Sequence, residues 1–402
     1  MQRLLTTSLV ILLLSLASCQ NSQKQGEQKE EKKEQKEEAS KKKVKETGNY
    51  DRKYNDIARF IAGMTALEGS AIAEYHNNQE WKNYAKSSDT LWKDILDKKR
   101  PVMTQWRDAE IKELAATQGT LFYPFSGPDF LHVSIFFPKI DTVYMFGLEP
   151  IGNTPDIKKI VEKSLPNYLL SLQASLGSIL KNSFFITREM AYDFTGARTN
   201  DIDGTLPALM MFLVRTNHEI LFYEQVAINS EGKLEKAEGE KKKGVYYGTK
   251  IEFKPADEEV RKVIYYFGVN LCDDPYMTMD GMKTKTEFVT FLKNIPFKTT
   301  YLKSASYLMH GNNYSTIREI ILSKSKHVFQ DDSGMAFRNF NNDQWDYVLF
   351  GKYIGPIDIF RGYYQNDYAK AYEDKNKVRP LTFGIGYQYK DGSSTLMLAK
   401  KK

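Results

Sequence analysis

Residues 210–228 read MMFLVRTNHEILFYEQVAI, and the reading of this stretch decides the fold. Two apolar runs, 210–216 and 219–228, flank Asn217-His218, a dipeptide suited to a two-residue hairpin turn. Runs at 245–253 and 260–271 continue the pattern, so the stretch opens an antiparallel meander. Between them, 230–244 is rich in Glu, Lys and Gly and reads as an exposed loop.

Upstream, 120–125, 132–137 and 142–148 are short apolar runs bounded by Gly and Pro, which predicts strands; 156–180 predicts a helix. Earlier still, Ile57, Phe60, Ile61, Met64 and Leu67 recur at helical spacing. Trp81, Tyr84, Leu91, Trp92 and Ile95 mark a second helix, and Pro101 suits the first turn of a third that carries Trp106, Ile111 and Leu114. Downstream, 285–293, 301–309 and 315–323 read as helices, and 327–330, 347–350, 381–389 and 395–398 as strands. The expected class is therefore α+β: an N-terminal helical segment, a central antiparallel meander sheet and a mixed α/β C-terminal third. Residues 50–402 are enough for one large domain or two packed subdomains, about 50–280 and 281–402.

The first 18 residues read as a signal peptide. Arg3 supplies positive charge, 4–16 is apolar but shorter than the roughly 20 residues of a spanning helix, and Ala17-Ser18 precede Cys19. The order Leu16-Ala17-Ser18-Cys19 resembles a bacterial lipobox, which implies lipidation of Cys19 and a membrane anchor there. Residues 19–49 alternate Lys and Glu with almost no apolar side chain, so they form a solvated tether. The acidic run beginning at Glu27 loosely resembles the surface-export signals of some Bacteroidota lipoproteins. The only other cysteine, Cys272, is then unpaired and is expected to be a half-buried apolar residue. A net charge of +6 with interspersed signs gives no basic face, so a nucleic-acid partner is not expected.

Three clusters carry candidate chemistry. Asp201-Ile202-Asp203-Gly204-Thr205 resembles the signature of haloacid-dehalogenase-type phosphatases, but loop residues and no apolar strand precede it; the reading is a turn entering a strand. Ser126, Asp129 and His132 are the residue types of a nucleophilic triad, without the Gly-x-Ser-x-Gly elbow around Ser126. His310, Asp331 and Asp332 place carboxylates and an imidazole near Gly turns. The five histidines show no metal-ligand spacing, so neither a metal nor a cofactor is expected. Asp273-Asp274-Pro275 reads as a turn.

The blocks Phe122-Tyr123-Pro124-Phe125-Ser126-Gly127-Pro128-Asp129-Phe130-Leu131, Phe136-Phe137-Pro138, Leu148-Glu149-Pro150 and Gln330-Asp331-Asp332-Ser333-Gly334 resemble an uncharacterised group of exported bacterial proteins. The resemblance spans about 54–398. It implies a bacterial lipoprotein and carries over no functional residue.

The expected role is a lipid-anchored envelope protein on the outer membrane, on its periplasmic or surface face, which binds a ligand, a glycan or a protein without catalysis. The alternatives are a tethered hydrolase using Asp129 and His132 or His310, Asp331 and Asp332, and a structural or assembly component of the envelope.

Overall fold

A computed structural model describes residues 50–402 apart from 164, 183–203, 241, 243, 274–285 and 390–391. Cys19, the expected signal peptide and tether, Asp201, Asp203, Asp274 and Pro275 lie outside the described residues.

The chain begins with helices α1 (Arg52–Ile61), α2 (Gln79–Lys93), α3 (Arg100–Glu110) and the single turn α4 (Lys112–Ala115). Asp51 caps α1 by accepting from the Lys53 N–H, and Asn78 caps α2 by accepting from Glu80 and Trp81. Then follow β1 (Thr120–Pro124), α5 (Phe130–Phe136), β2 (Thr142–Gly147), α6 (Ile157–Lys163), α7 (Leu165–Asn182) and α8 (Leu206–Arg215). Four strands come next: β3 (His218–Ile228), β4 (Leu234–Lys236), β5 (Tyr246–Pro255) and β6 (Lys262–Gly268). The last third holds α9 (Thr286–Asn294), β7 (Thr299–Leu302), α10 (Ser315–Lys324), β8 (His327–Gln330), β9 (Trp345–Gly351), α11 (Asn366–Ala371), β10 (Val378–Arg379) and β11 (Thr395–Lys401).

Among the described residues the strands share one 11-stranded sheet, ordered β10-β9-β11-β8-β7-β1-β2-β6-β5-β3-β4. The α+β class holds, with the helical N-terminal segment and an antiparallel meander of β3, β5 and β6. The centre of the sheet is different: β8, β7, β1, β2 and β6 run parallel, joined through α5, α9 and α10. Strands from both sides of residue 280 are neighbours, because β1 pairs with β2 on one flank and β7 on the other.

Alternation along the strands feeds two cores. Leu121, Tyr123, Val143, Met145, Tyr301 and Phe329 face one core, with α1–α3, α5 and α8. Phe122, Tyr144, Phe146, Leu302 and Val328 face the other, with α9 and α10. Buried on both faces, the central strands read as unbroken apolar runs, as parallel strands do.

Several expected elements change type. Residues 132–137 are helical, not a strand: Asp129 accepts the His132 N–H as N-cap of α5, whose side chains are buried nearly all round. Residues 210–216 belong to α8 for the same reason; Pro207 sits in its first turn and 206–214 are wholly buried. Asn217 is then a left-handed residue after a helix (φ 67°), not part of a hairpin. A helix apolar on every side shows no 3.6-residue stripe, so it cannot be told from a buried strand by period. Residues 301–309 are a strand end, a loop and the start of the 3-10 turn Leu308–His310: the backbone N–H groups of Ser304 and Ala305 donate to Asp331 and Ser333, not along an α-helix. Residues 381–389 are loop with one 3-10 turn. The 230–244 loop carries the short strand β4, and Gly204-Thr205 lead into α8 and not a strand. Cys272 is fully buried, and Asp273 caps α10 by accepting from Ser315 Oγ (2.9 Å) and Thr316 N (3.1 Å).

Candidate functional site

The chain crosses from β1 to β2 on one side and returns with β7 on the other. Beyond the carboxyl ends of these three parallel strands lies the crevice where open parallel sheets receive ligands. Three short segments line it: Phe125, Ser126 and Gly127 after β1; Gly147, Leu148 and Glu149 after β2; and 303–306 with Leu308 after β7. The cavity is small, about 30 Å³. A larger cavity of about 180 Å³ opens beside Ile140, Val143 and Lys262, and none of Ser126, Asp129, His132, His310, Asp331 or Asp332 lines it.

The cleft walls are strained. The lining residues Phe125, Ser304 and Ser306 adopt left-handed backbone conformations, with φ of 58°, 53° and 53°, as does their chain neighbour Tyr307, with φ of 57°. Such conformations cost of order 1–3 kcal/mol each and persist only where the surroundings enforce them. Here the enforcement is polar and buried. Asp331 accepts from Ser304 N (2.8 Å), and Ser333 Oγ accepts from Ala305 N (2.8 Å). The Tyr307 hydroxyl donates to Asp332 Oδ2 (2.5 Å). Ser126 N donates to Phe146 O (2.8 Å), which binds the β1 loop to β2. Gly147 belongs to the same construction, since a Cβ there would collide with the Tyr266 hydroxyl and the Glu149 carboxylate.

Beneath the cleft sits a buried ionic cluster. Asp129 takes the Tyr123 hydroxyl at 2.9 Å, His132 Nδ1 at 2.9 Å and the Lys303 ammonium at 2.8 Å. Burial works to raise the Asp129 carboxyl, but His132 and Lys303 outweigh it and hold the group well below the usual carboxylate range. Burial, with Lys303 beside it, pushes His132 below its ordinary value against the pull of Asp129. His132 is therefore a neutral donor through Nδ1–H, and Lys303 supplies the compensating charge.

The second carboxylate group stands on the far side of the 303–307 segment. Burial raises both Asp331 and Asp332, and the neighbouring charge of Asp331 raises Asp332 further. Asp331 accepts three hydrogen bonds, from Ser304 N, Ser333 N and Ser333 Oγ, so it is the ionised member. Asp332, pushed up to about 7, is the member that takes up a proton as the pH falls. His310 sets the edge of its ring against Tyr307, with centroids 5.2 Å apart. Burial and Arg338 lower His310 to about 4, so it too is neutral at pH 7.

No known protein-family model matches this sequence, and no curated protein is significantly similar to it. The site is therefore read from its own chemistry.

The structure brings Asp129 and His132 together, brings Asp331 and Asp332 together, and ties both pairs to one segment, 301–307. It does not complete a triad. Ser126 Oγ donates to Gly127 O at 2.8 Å, and no hydroxyl among the described residues reaches His132 Nε2. Among the described residues there is also no group of three or more His, Cys, Asp or Glu side chains able to hold a metal ion. No helix among them is long and apolar enough to cross a membrane.

Sequence reasoning missed Tyr123, Glu149, Lys303 and Tyr307. Lys303 had a signal: it is a single charge following the apolar residues Tyr301 and Leu302, a pattern that marks a strand end. Glu149 had one also, as a carboxylate directly after the apolar strand 142–148.

Proposed function

We propose that this chain is a bacterial envelope lipoprotein, held on the outer membrane through acylated Cys19, whose folded part binds a small polar ligand without transforming it. The ligand site is the cleft at the carboxyl ends of β1, β2 and β7. One observation carries the reading: three non-glycine residues that line it, Phe125, Ser304 and Ser306, adopt left-handed conformations, and the buried Asp331 carboxylate fixes the Ser304 backbone. Strain of this kind marks a preorganised recognition surface. Binding is favoured over hydrolysis because, among the described residues, no base is hydrogen-bonded to the hydroxyl of Ser126, Ser304 or Ser306. Ser126 donates to backbone carbonyls, and Ser306 Oγ pairs with the Tyr387 hydroxyl at 2.8 Å.

The test is to equilibrate the purified acylated protein with the small-molecule fraction of an envelope extract, repurify it and identify what is retained by mass spectrometry. Wild-type protein should retain a polar compound that a Ser306→Trp variant, folded but with its cleft mouth filled, does not. Retention of nothing by the wild type, or equal retention by both, overturns the cleft as the binding site.

A further inference from the structure

The cleft does not end at its serines. The Tyr387 hydroxyl, bonded to Ser306 Oγ, also donates to Ser304 O at 2.9 Å. Its ring lies 5.1 Å from that of Phe360. Tyr307, the next residue after Ser306, stacks on Tyr363 at 5.2 Å and 12°. Tyr363 and Tyr364 are 43% and 51% exposed, so the polar cleft runs out onto an open aromatic ledge.

Resting on the binding reading above, we infer that this combined surface recognises a neutral oligosaccharide, one hydroxyl-bearing group entering the cleft and the adjoining sugar ring lying on the ledge. Four observations select that class. The first is size: a cavity of about 30 Å³ takes a hydroxyl or hydroxymethyl group and little more. The second is charge. The Lys303 ammonium lies on Asp129 at 2.8 Å, and Glu149 stands in the wall, so the cleft is no trap for a phosphate or carboxylate.

The third observation is hydrogen-bonding capacity. Ser126, Ser304 and Ser306 line the cleft, and the buried Ser304 Oγ has no hydrogen-bond partner among the described residues. A hydroxyl, both donor and acceptor, matches such groups. The fourth is the ledge. An aromatic face backed by a second stacked ring is rigid, and it gains contact with the C–H face of a sugar at little cost in side-chain entropy.

The experiment uses the full acylated chain in detergent micelles, titrated calorimetrically with soluble hexaoses of α-1,4-glucose, β-1,4-glucose, β-1,4-N-acetylglucosamine and β-1,4-xylose. At least one should bind. Tyr363→Ala should weaken it about tenfold, Tyr363→Phe should retain it, and Ser306→Ala should weaken it several-fold. Ile359→Ala, an exposed apolar change on the same turn, should leave it unaltered. Binding of no hexaose overturns the inference, as does binding unaffected by both Tyr363→Ala and Ser306→Ala. If the extract experiment retains a polar compound that is not a saccharide, the cleft stands and the glycan inference falls. If it retains nothing, both fall.

Discussion

Lys303 Nζ lies 2.8 Å from Asp129 Oδ2, with the two side chains 2% and 3% exposed, and this pair joins the end of β7 to the N-cap of α5. Removing one partner strands the other as an uncompensated buried charge, which costs about 3–5 kcal/mol. Lys303→Met should therefore destabilise the fold by that amount in urea unfolding. Lys303→Met with Asp129→Asn should recover a substantial part of the loss, because no charge is then left alone. A single-variant cost under about 1 kcal/mol would show that the pair is solvated and not buried.

Asp332 gives a pH dependence of defined sign. Its carboxyl is pushed up to about 7, by burial first and then by Asp331, whereas in the unfolded chain it titrates near 3.9. The folded state thus prefers the protonated group. That contribution is complete below about pH 3.9 and is lost as the pH rises through 7. Asp332→Asn keeps an acceptor for Tyr307 and cannot ionise. The stability of the variant relative to wild type should rise between pH 4 and pH 8, by an amount of order 1–4 kcal/mol. A difference flat across this range would place the proton elsewhere.

Ser304 tests the strain. Its φ is 53°, and its Oγ makes no hydrogen bond to the described residues, so glycine can replace it without loss of a hydrogen bond among them. Ser304→Gly should be neutral or stabilising by up to about 1 kcal/mol, since backbone relief offsets the added entropy of the unfolded chain. Ser304→Val, β-branched in the left-handed region, should cost about 1–3 kcal/mol. Thermal unfolding of the two variants gives the comparison, and equal melting temperatures would mean the site stores no strain.

Gly386 tests the second carboxylate pair from its other side. Its φ is +68°, and a Cβ there would run into Asp331 Oδ2. Gly386→Ala should destabilise by about 1–3 kcal/mol and displace Asp331 from Ser304 N. If the alanine variant unfolds at the wild-type urea midpoint, the Asp331 carboxylate is not packed against this turn.

Cys19 tests the anchor. Cys19→Ala should leave an unprocessed precursor or release the protein from the membrane fraction, read by fractionation and by the mass of the N-terminal peptide. Normal processing with unchanged membrane retention would refute acylation at this residue.

The two halves of the candidate site were legible to different degrees. Asp129 with His132 and Asp331 with Asp332 stand close in sequence, so each pair was visible as a cluster. Their common support was not. Reading 301–309 as a helix concealed Lys303 and Tyr307, because the loop that carries them is shaped by Asp331 and Ser333 from a distant strand. Glu149 and Tyr123 acquire meaning only when β1 and β2 lie side by side.

By itself, the amino-acid order determined what depends on neighbours along the chain. Ile57, Phe60 and Ile61 recur at helical spacing in α1, Pro101 occupies the first turn of α3, and the apolar runs at 245–253 and 260–271 mark β5 and β6. Those signals suffice for the α+β class. Only the tertiary structure decided the parallel centre of the sheet, the helical state of 130–136 and 206–215, and the convergence of three strand ends on one cleft. The physical reason is burial on every side: once a segment has no solvent face, its hydrophobic period disappears, and its partners, not its own residues, choose its conformation.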